Sequence, residues 1–294
     1  MNKKINYENV NLYHYTTLDG LYGIVSNKTI RLTDYRFLND KKELVHSIDF
    51  LETILNGYEK NKYIGYISEA LTAIRSNQAS DFICCGKDKN GTTLLRQRTK
   101  VKTNFYILSM TRKSDDLALW SMYGKSGCRI KFNSQKLFEF FNKVRDEIST
   151  KGIFDYVRGN VLYGDTAKTN EESILKFYQE NWDVCCLNLY RDLYRLLSLR
   201  KKQSYSYENE YRIGIPIPDD FIDGIRLKKI FTLSQDCIKL RLEFSDFPVA
   251  DVIENIIISP FNTSDCVLLG IEEFLENKIG RKIEVKNSAI EIRN

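Results

Sequence analysis

Asn11-Leu12-Tyr13-His14-Tyr15-Thr16-Thr17-Leu18-Asp19-Gly20-Leu21-Tyr22-Gly23-Ile24-Val25 changes its period in the middle. Val10 to Tyr15 has the aromatic and β-branched character of a strand, whereas Leu18, Leu21, Ile24 and Val25 recur at helical spacing. Asn27-Lys28 ends that helix, and a short strand, Thr29 to Thr33, follows. The segment 41–79 is helical by pattern, with Leu44, Ile48, Leu51, Ile54 and Leu55 on one stripe. Strands follow at Phe82 to Gly86 and Phe105 to Met110. A short helix from Leu117 to Gly124 comes next, with Asp115 or Asp116 as its cap, and then an alternating strand, Gly127 to Phe132. Ser134 to Glu147 reads as a helix, Gly159 to Tyr163 as a strand, and Glu171 to Leu199 as the longest helical stretch. Strands then run at Glu208 to Ile215, Arg226 to Phe231, Ile238 to Phe244 and Val252 to Ser259. A helix, Cys266 to Glu276, leads to a last strand near Ile283 to Val285. Strands at both ends with helices grouped between them predict an α+β fold rather than a doubly wound one.

The composition sets bounds. The chain has 294 residues, 43% hydrophobic and 28% charged, enough apolar material for a packed core. With 15 glycines and 4 prolines, no stretch reads as a linker, so residues 1–294 are expected to form a single domain. The 7 cysteines include two adjacent pairs and no C-x-x-C spacing, and only 2 histidines are present, so no metal site is expected. The cysteines read as reduced thiols of a cytoplasmic protein. No signal-like start or membrane-length apolar run occurs, which predicts no membrane contact. The net charge of +5 permits an anionic partner without requiring one. The basic stretch from Lys87 to Lys102 reads first as a solvated loop and strand edge. The sequence lacks the P-loop, Rossmann and G-x-S-x-G signatures.

Two places stand out chemically. His14 sits in a strand between hydroxyl-bearing neighbours, with Tyr15 and Thr16 beside it, and Glu208-Asn209-Glu210-Tyr211-Arg212 sets two carboxylates and a guanidinium at alternate positions. A buried, hydrogen-bonded core histidine accounts for the first, and an exposed strand face with an ion pair to Arg212 accounts for the second. Trp120 and Tyr123, three apart on a short helix, share a face that serves core packing or aromatic stacking.

Several segments carry a resemblance when taken in order. They are Leu12 to Thr17, Phe37-Leu38-Asn39-Asp40, Leu108-Ser109-Met110, Asp116 to Gly124, Glu208 to Arg212, and Asn287-Ser288-Ala289-Ile290 with Arg293. Together they resemble the bacterial family known as domain of unknown function 2971, from about Asn11 to Arg293. Tyr211 stands where that family often has tryptophan. The family is in turn similar to distant ADP-ribosyltransferases. The resemblance implies a split-sheet ADP-ribosyltransferase-like core, with segments of about 41–79 and 171–199 as helical insertions. It implies an enzyme that takes NAD as substrate and passes ADP-ribose to a macromolecular acceptor, protein or nucleic acid. A setting in bacterial toxicity or phage defence, with a partner defence protein, comes with it. The alternatives are an NAD glycohydrolase, or a non-catalytic sensor of nucleotide or nucleic acid.

By the same resemblance, His14, Tyr123 and Glu210 match the family's histidine, hydroxyl and glutamate, with Tyr15, Tyr35 and Ser109 as rivals for the middle place. Cleaving the nicotinamide glycosidic bond develops an oxocarbenium-like charge, which a fixed carboxylate at Glu210 would stabilise. Glu208 would tune that carboxylate or activate the acceptor. His14, flanked by Tyr15 and Thr16, would hold a ribose, with Tyr35, Asn39, Ser109, Trp120 and Arg212 as further contacts. His14 and Glu210 are therefore expected to point into one pocket. Replacing Glu210 by Gln is expected to cut NAD cleavage by about a hundredfold or more with little loss of folding.

Overall fold

The computed structural model describes residues 9–38, 43–58, 62–76, 78–79, 82–87, 93–97, 101–149, 156–164, 169, 171–176, 189–218, 226–234, 237–262 and 264–292. Asn39, Asp40 and Arg293 of the motif set, Lys89, Arg98 and Lys100 of the basic stretch, and the centre of the expected 171–199 helix lie outside them.

Strand β1 (Leu12–Thr16) passes into helix α1 (Leu18–Asn27) at Thr17, whose hydroxyl accepts the Gly20 amide at 3.0 Å. Lys28, left-handed at φ 50°, closes the helix before β2 (Ile30–Asp34). The expected 41–79 helix is instead two, α2 (Glu43–Leu55) and α3 (Lys62–Arg75), followed by strand β3 (Gln78–Ala79). Asn56 and Gly57, both poor helix formers, turn the chain after α2. Strands β4 (Phe82–Lys87) and β5 (Thr93–Gln97) pair with each other, and β6 (Val101–Thr111) is the longest of the described strands. Helix α4 (Leu117–Tyr123) is capped by Asp116, which accepts the Leu119 amide at 3.2 Å. There follow β7 (Cys128–Phe132), α5 (Ser134–Ser149), β8 (Val157–Asn160) and β9 (Leu162–Tyr163). Residues 171–176 are helical, and then come α6 (Leu189–Ser198), β10 (Arg200–Lys201), a 3-10 turn (Gln203–Glu208) and β11 (Glu210–Pro218). The chain continues through β12 (Leu227–Ser234), β13 (Cys237–Phe244), α7 (Val249–Val252), β14 (Ile253–Ile258), α8 (Cys266–Ile279) and β15 (Glu284–Asn287).

Strand β6 organises the mixed 11-stranded sheet. One edge of it pairs with β11 along its length, from Thr111↔Glu210 to Thr103↔Pro218. The other edge is shared end to end: β2 takes Tyr106 and Ile107, and β1 takes Thr111. From this branch, β1 continues to β7, β14 and β15, while β2 continues to β13 and β12. The α+β class is as the sequence predicts, and the sheet divides where β1 and β2 part.

Alternation along β6 sends its two sets of side chains to different cores. Tyr106, Leu108 and Met110 join Leu12, Ile130, Phe132, Tyr211 and Ile213 in a core that also takes Leu21 and Val25 of α1 and Phe138 and Phe141 of α5. Phe105 and Ile107, on the opposite face, join α2, α3 and α6 in a second core. On that same face Tyr13 and Tyr15 of β1 pack with Leu119 and Trp120 in a third. Gly214 of β11 makes room for the Phe105 ring: a Cβ there would lie 2.4 Å from Phe105 Cζ. Gly214→Ala is therefore expected to cost about 1–3 kcal/mol of stability by overpacking, read as a lowered denaturation midpoint with unchanged slope. An unshifted midpoint would show that the ring moves aside freely.

Candidate functional site

The start of β11 carries a buried ionic network. The 3-10 turn ends at Glu208, Asn209 is left-handed at φ 43°, and Glu210 opens the strand. The expectation that both glutamates share a strand face is thus corrected, because Glu208 precedes the strand. Their carboxylates still meet: Lys201 Nζ donates to Glu208 Oε2 at 2.6 Å and lies 3.3 Å from Glu210 Oε2. Arg212 donates from Nε to Glu210 Oε1 at 2.7 Å and from Nη2 to Glu210 Oε2 at 2.8 Å, a bidentate pair. Its Nη1 donates to Glu43 of α2 and, at 2.7 Å, to the Ser198 carbonyl at the end of α6. Tyr123 of α4 donates to Glu208 Oε1 at 3.0 Å, and the Tyr163 hydroxyl accepts the Glu210 amide at 2.9 Å. Glu208, Glu210 and Arg212 are only 3%, 5% and 2% exposed.

Burial alone would raise the Glu210 carboxyl, but the Arg212 and Lys201 charges, with hydrogen bonds from Arg212 and Ser109, hold it down at about 2. Glu208 goes the other way. Burial raises it, Lys201 and the Tyr123 hydroxyl oppose only part of that, and the Glu210 charge adds to the rise.

The structure brings Glu208, Glu210, Tyr123, Ser109 and Arg212 together and separates His14 from them. Tyr13 pairs with Thr111, and Thr111 pairs across β6 with Glu210, so these three share a face and His14 points to the other. The His14 ring lies nearly parallel to Phe132, with centroids 6.2 Å apart, within the first core. Its Nδ1 donates to the Ser109 carbonyl at 3.1 Å, where β6 runs between its β2 and β1 partners. Burial lowers the His14 pKa below its ordinary value, consistent with a neutral ring carrying its proton on Nδ1. The expected shared pocket of His14 and Glu210 is therefore corrected, and His14 secures the branch of the sheet.

The remaining expected contacts are structural in their placement. Trp120 is fully buried and donates from Nε1 to Asp115 at 2.6 Å, so it offers no open stacking face. Asp115 also accepts the Ser288 hydroxyl at 2.9 Å and the Ala289 amide at 3.0 Å, which ties the closing motif to α4. Tyr15 packs edge-on to Trp120, and its hydroxyl accepts the Asp116 amide. Thr16 sits against Gly20 of α1, and Tyr35 packs on the second core. Arg212 is committed to Glu210 and Glu43. Asn39 lies outside the described residues.

A second feature escaped the sequence. A cavity of about 490 Å³ opens beside β8, lined by Arg158, Asn160, Glu171, Arg195, Arg200 and Tyr211 among others. Arg158 lies over the Phe138 ring at 4.1 Å, and Arg200 over the Phe50 ring at 3.5 Å. Glu171 is 1% exposed, and burial, opposed by Arg200, raises its pKa to about 7. Lys201 and Arg200 had one visible signal, the basic run Arg200-Lys201-Lys202 beside the acidic pair. No local signal marks Glu43, Tyr163, Arg158 or Glu171.

Residues 119–213, which span both features apart from Glu43, Ser109 and Val10, match the model of a family described as Protein of unknown function (DUF2971). Comparison with curated proteins and with solved structures gave no match. Among the described residues no helix is long and apolar enough to cross a membrane, and no three His, Cys, Asp or Glu side chains group to hold a metal ion.

Removing the Glu210 charge leaves Arg212 and Lys201 without their shared counterion. Glu210→Gln is therefore expected to cost about 3–5 kcal/mol of stability. The sign with pH follows: a carboxyl held at about 2 against an ordinary 4.5 adds stability above 4.5 that is lost as pH falls toward 2. Thermal melts of wild type should fall over that window, and those of Glu210→Gln should fall less. Identical profiles would remove the network from the fold's stability.

Proposed function

We propose that this protein is a binding module for a small anionic ligand, held in the cavity beside β8. The observation that carries this is the lining: Arg158, Arg195 and Arg200 face one cavity with Glu171 as its single acid among the described lining residues. Three guanidiniums face one concavity that has a single acid among its described lining residues, and their planar forks suit phosphate. The test uses Arg195→Gln, because Arg195 is exposed and its replacement is expected to leave the fold intact. Calorimetric titration with inorganic phosphate and pyrophosphate should show saturable binding to wild type, weakened about tenfold in the variant at low salt. Absence of saturable binding of either anion to wild type would overturn the proposal.

Transfer of ADP-ribose from NAD to a macromolecule, or hydrolysis of NAD, is the second reading. It is favoured by the branched sheet and by Glu208, whose raised carboxyl bonds the half-buried Tyr123. In that reading Glu208, rather than the ionised and ion-paired Glu210, is the working acid, and His14 has no part. Incubation with labelled NAD should release or transfer label from wild type and at least about a hundredfold less from Glu208→Gln. Equal label from both proteins, or none from wild type, removes this reading.

A further inference from the structure

Glu171 is the most unusual group in the cavity. Neither of its carboxylate oxygens has a hydrogen-bond partner, although the residue is 1% exposed. Arg200 Nε approaches Glu171 Oε1 at 3.1 Å, yet this nitrogen also lacks a hydrogen bond, because its orientation toward the carboxylate is poor. The Arg200 guanidinium lies over the Phe50 ring, 3.5 Å from its centroid, a contact that competes with in-plane alignment on the carboxylate. A buried carboxylate with two unused acceptors is costly unless something arrives to donate to it. The other charged groups around it are Glu172 on its own helix and Arg158 and Arg195, which line the same cavity from β8 and α6.

We infer that the ligand of this cavity is a small zwitterion, whose anionic group is held by the arginines and whose ammonium group donates to Glu171. This rests on the anion-binding reading above and adds the second half of the ligand. A lone carboxylate suits an ammonium better than a metal ion, which requires several ligands. An ammonium beside Glu171 favours its ionised form, so binding at neutral pH should release a proton from a carboxyl that titrates at about 7 in the free protein.

The matched probes are O-phosphoethanolamine and ethyl phosphate, which differ in the ammonium group, titrated calorimetrically at neutral pH in buffers of different ionisation heat. Wild type should bind O-phosphoethanolamine about tenfold tighter than ethyl phosphate, with proton release. In Glu171→Gln the difference and the proton release should both vanish, while ethyl phosphate binds as before. That variant leaves Arg200 without its carboxylate partner, so binding is compared at a temperature below the thermal midpoints of both proteins. Equal affinities of the two probes for wild type overturn the zwitterion inference and leave the anion site standing. Failure of both probes and of inorganic phosphate overturns the anion site itself. Tighter binding of ribose 5-phosphate than of O-phosphoethanolamine, lost in Glu171→Gln, would assign the carboxylate to hydroxyl donors and overturn the ammonium assignment.

Discussion

The bidentate pair between Arg212 and Glu210 joins parts of the molecule that the sheet alone does not hold together. Both residues sit on β11, but the remaining Arg212 donor reaches Glu43 on α2 and the carbonyl of Ser198 on α6. Lys201 then carries the connection to Glu208, and Glu208 carries it to Tyr123 on α4. The second core, built on α2, α3 and α6, and the third, built on Trp120, are thus linked by polar contacts across the same face. Burial of so many charges is tolerable only because nearly every donor has an acceptor.

The charges in that network do not balance. Three carboxylates, Glu43, Glu208 and Glu210, face two cations, Lys201 and Arg212. The consequence falls unequally. Glu210 sits between both cations and is held ionised, whereas burial pushes Glu208 upward and its single cation, Lys201, opposes only part of that rise. Two carboxylates two residues apart therefore end with opposite tendencies, set by geometry rather than by residue type.

Much of the fold was legible in the sequence because its signals are local. The Thr17 cap, the stripe of Leu21, Ile24 and Val25, and the strand 128–132 are all set by neighbours a few residues apart. The break after α2 was missed because its apolar stripe masks the weak turn signal of Asn56-Gly57. The site was only half legible. Arg212 pairing with Glu210 follows from their i, i+2 spacing, and the pair is buried rather than exposed only because α2 and α6 cover it. The face on which His14 lies depends on the register of β1 against β6 and of β6 against β11, and a register is a long-range property. Arg158, Glu171 and Arg200 meet for the same reason, through three separate elements.

The cavity and the network share a backbone hinge of two residues. In β10, adjacent side chains point opposite ways, so Arg200 enters the cavity while Lys201 enters the network. Parallel pairing of Arg200 with Leu162 and of Lys201 with Tyr163 fixes this short strand. At its other end Gly159 lets Leu199 approach, since a Cβ there would meet Leu199 Cδ1 at 2.9 Å. The position of Arg200 over the cavity is thus set by interactions that Lys201 and Leu199 make elsewhere. The buried charges thereby hold one wall of the cavity in place.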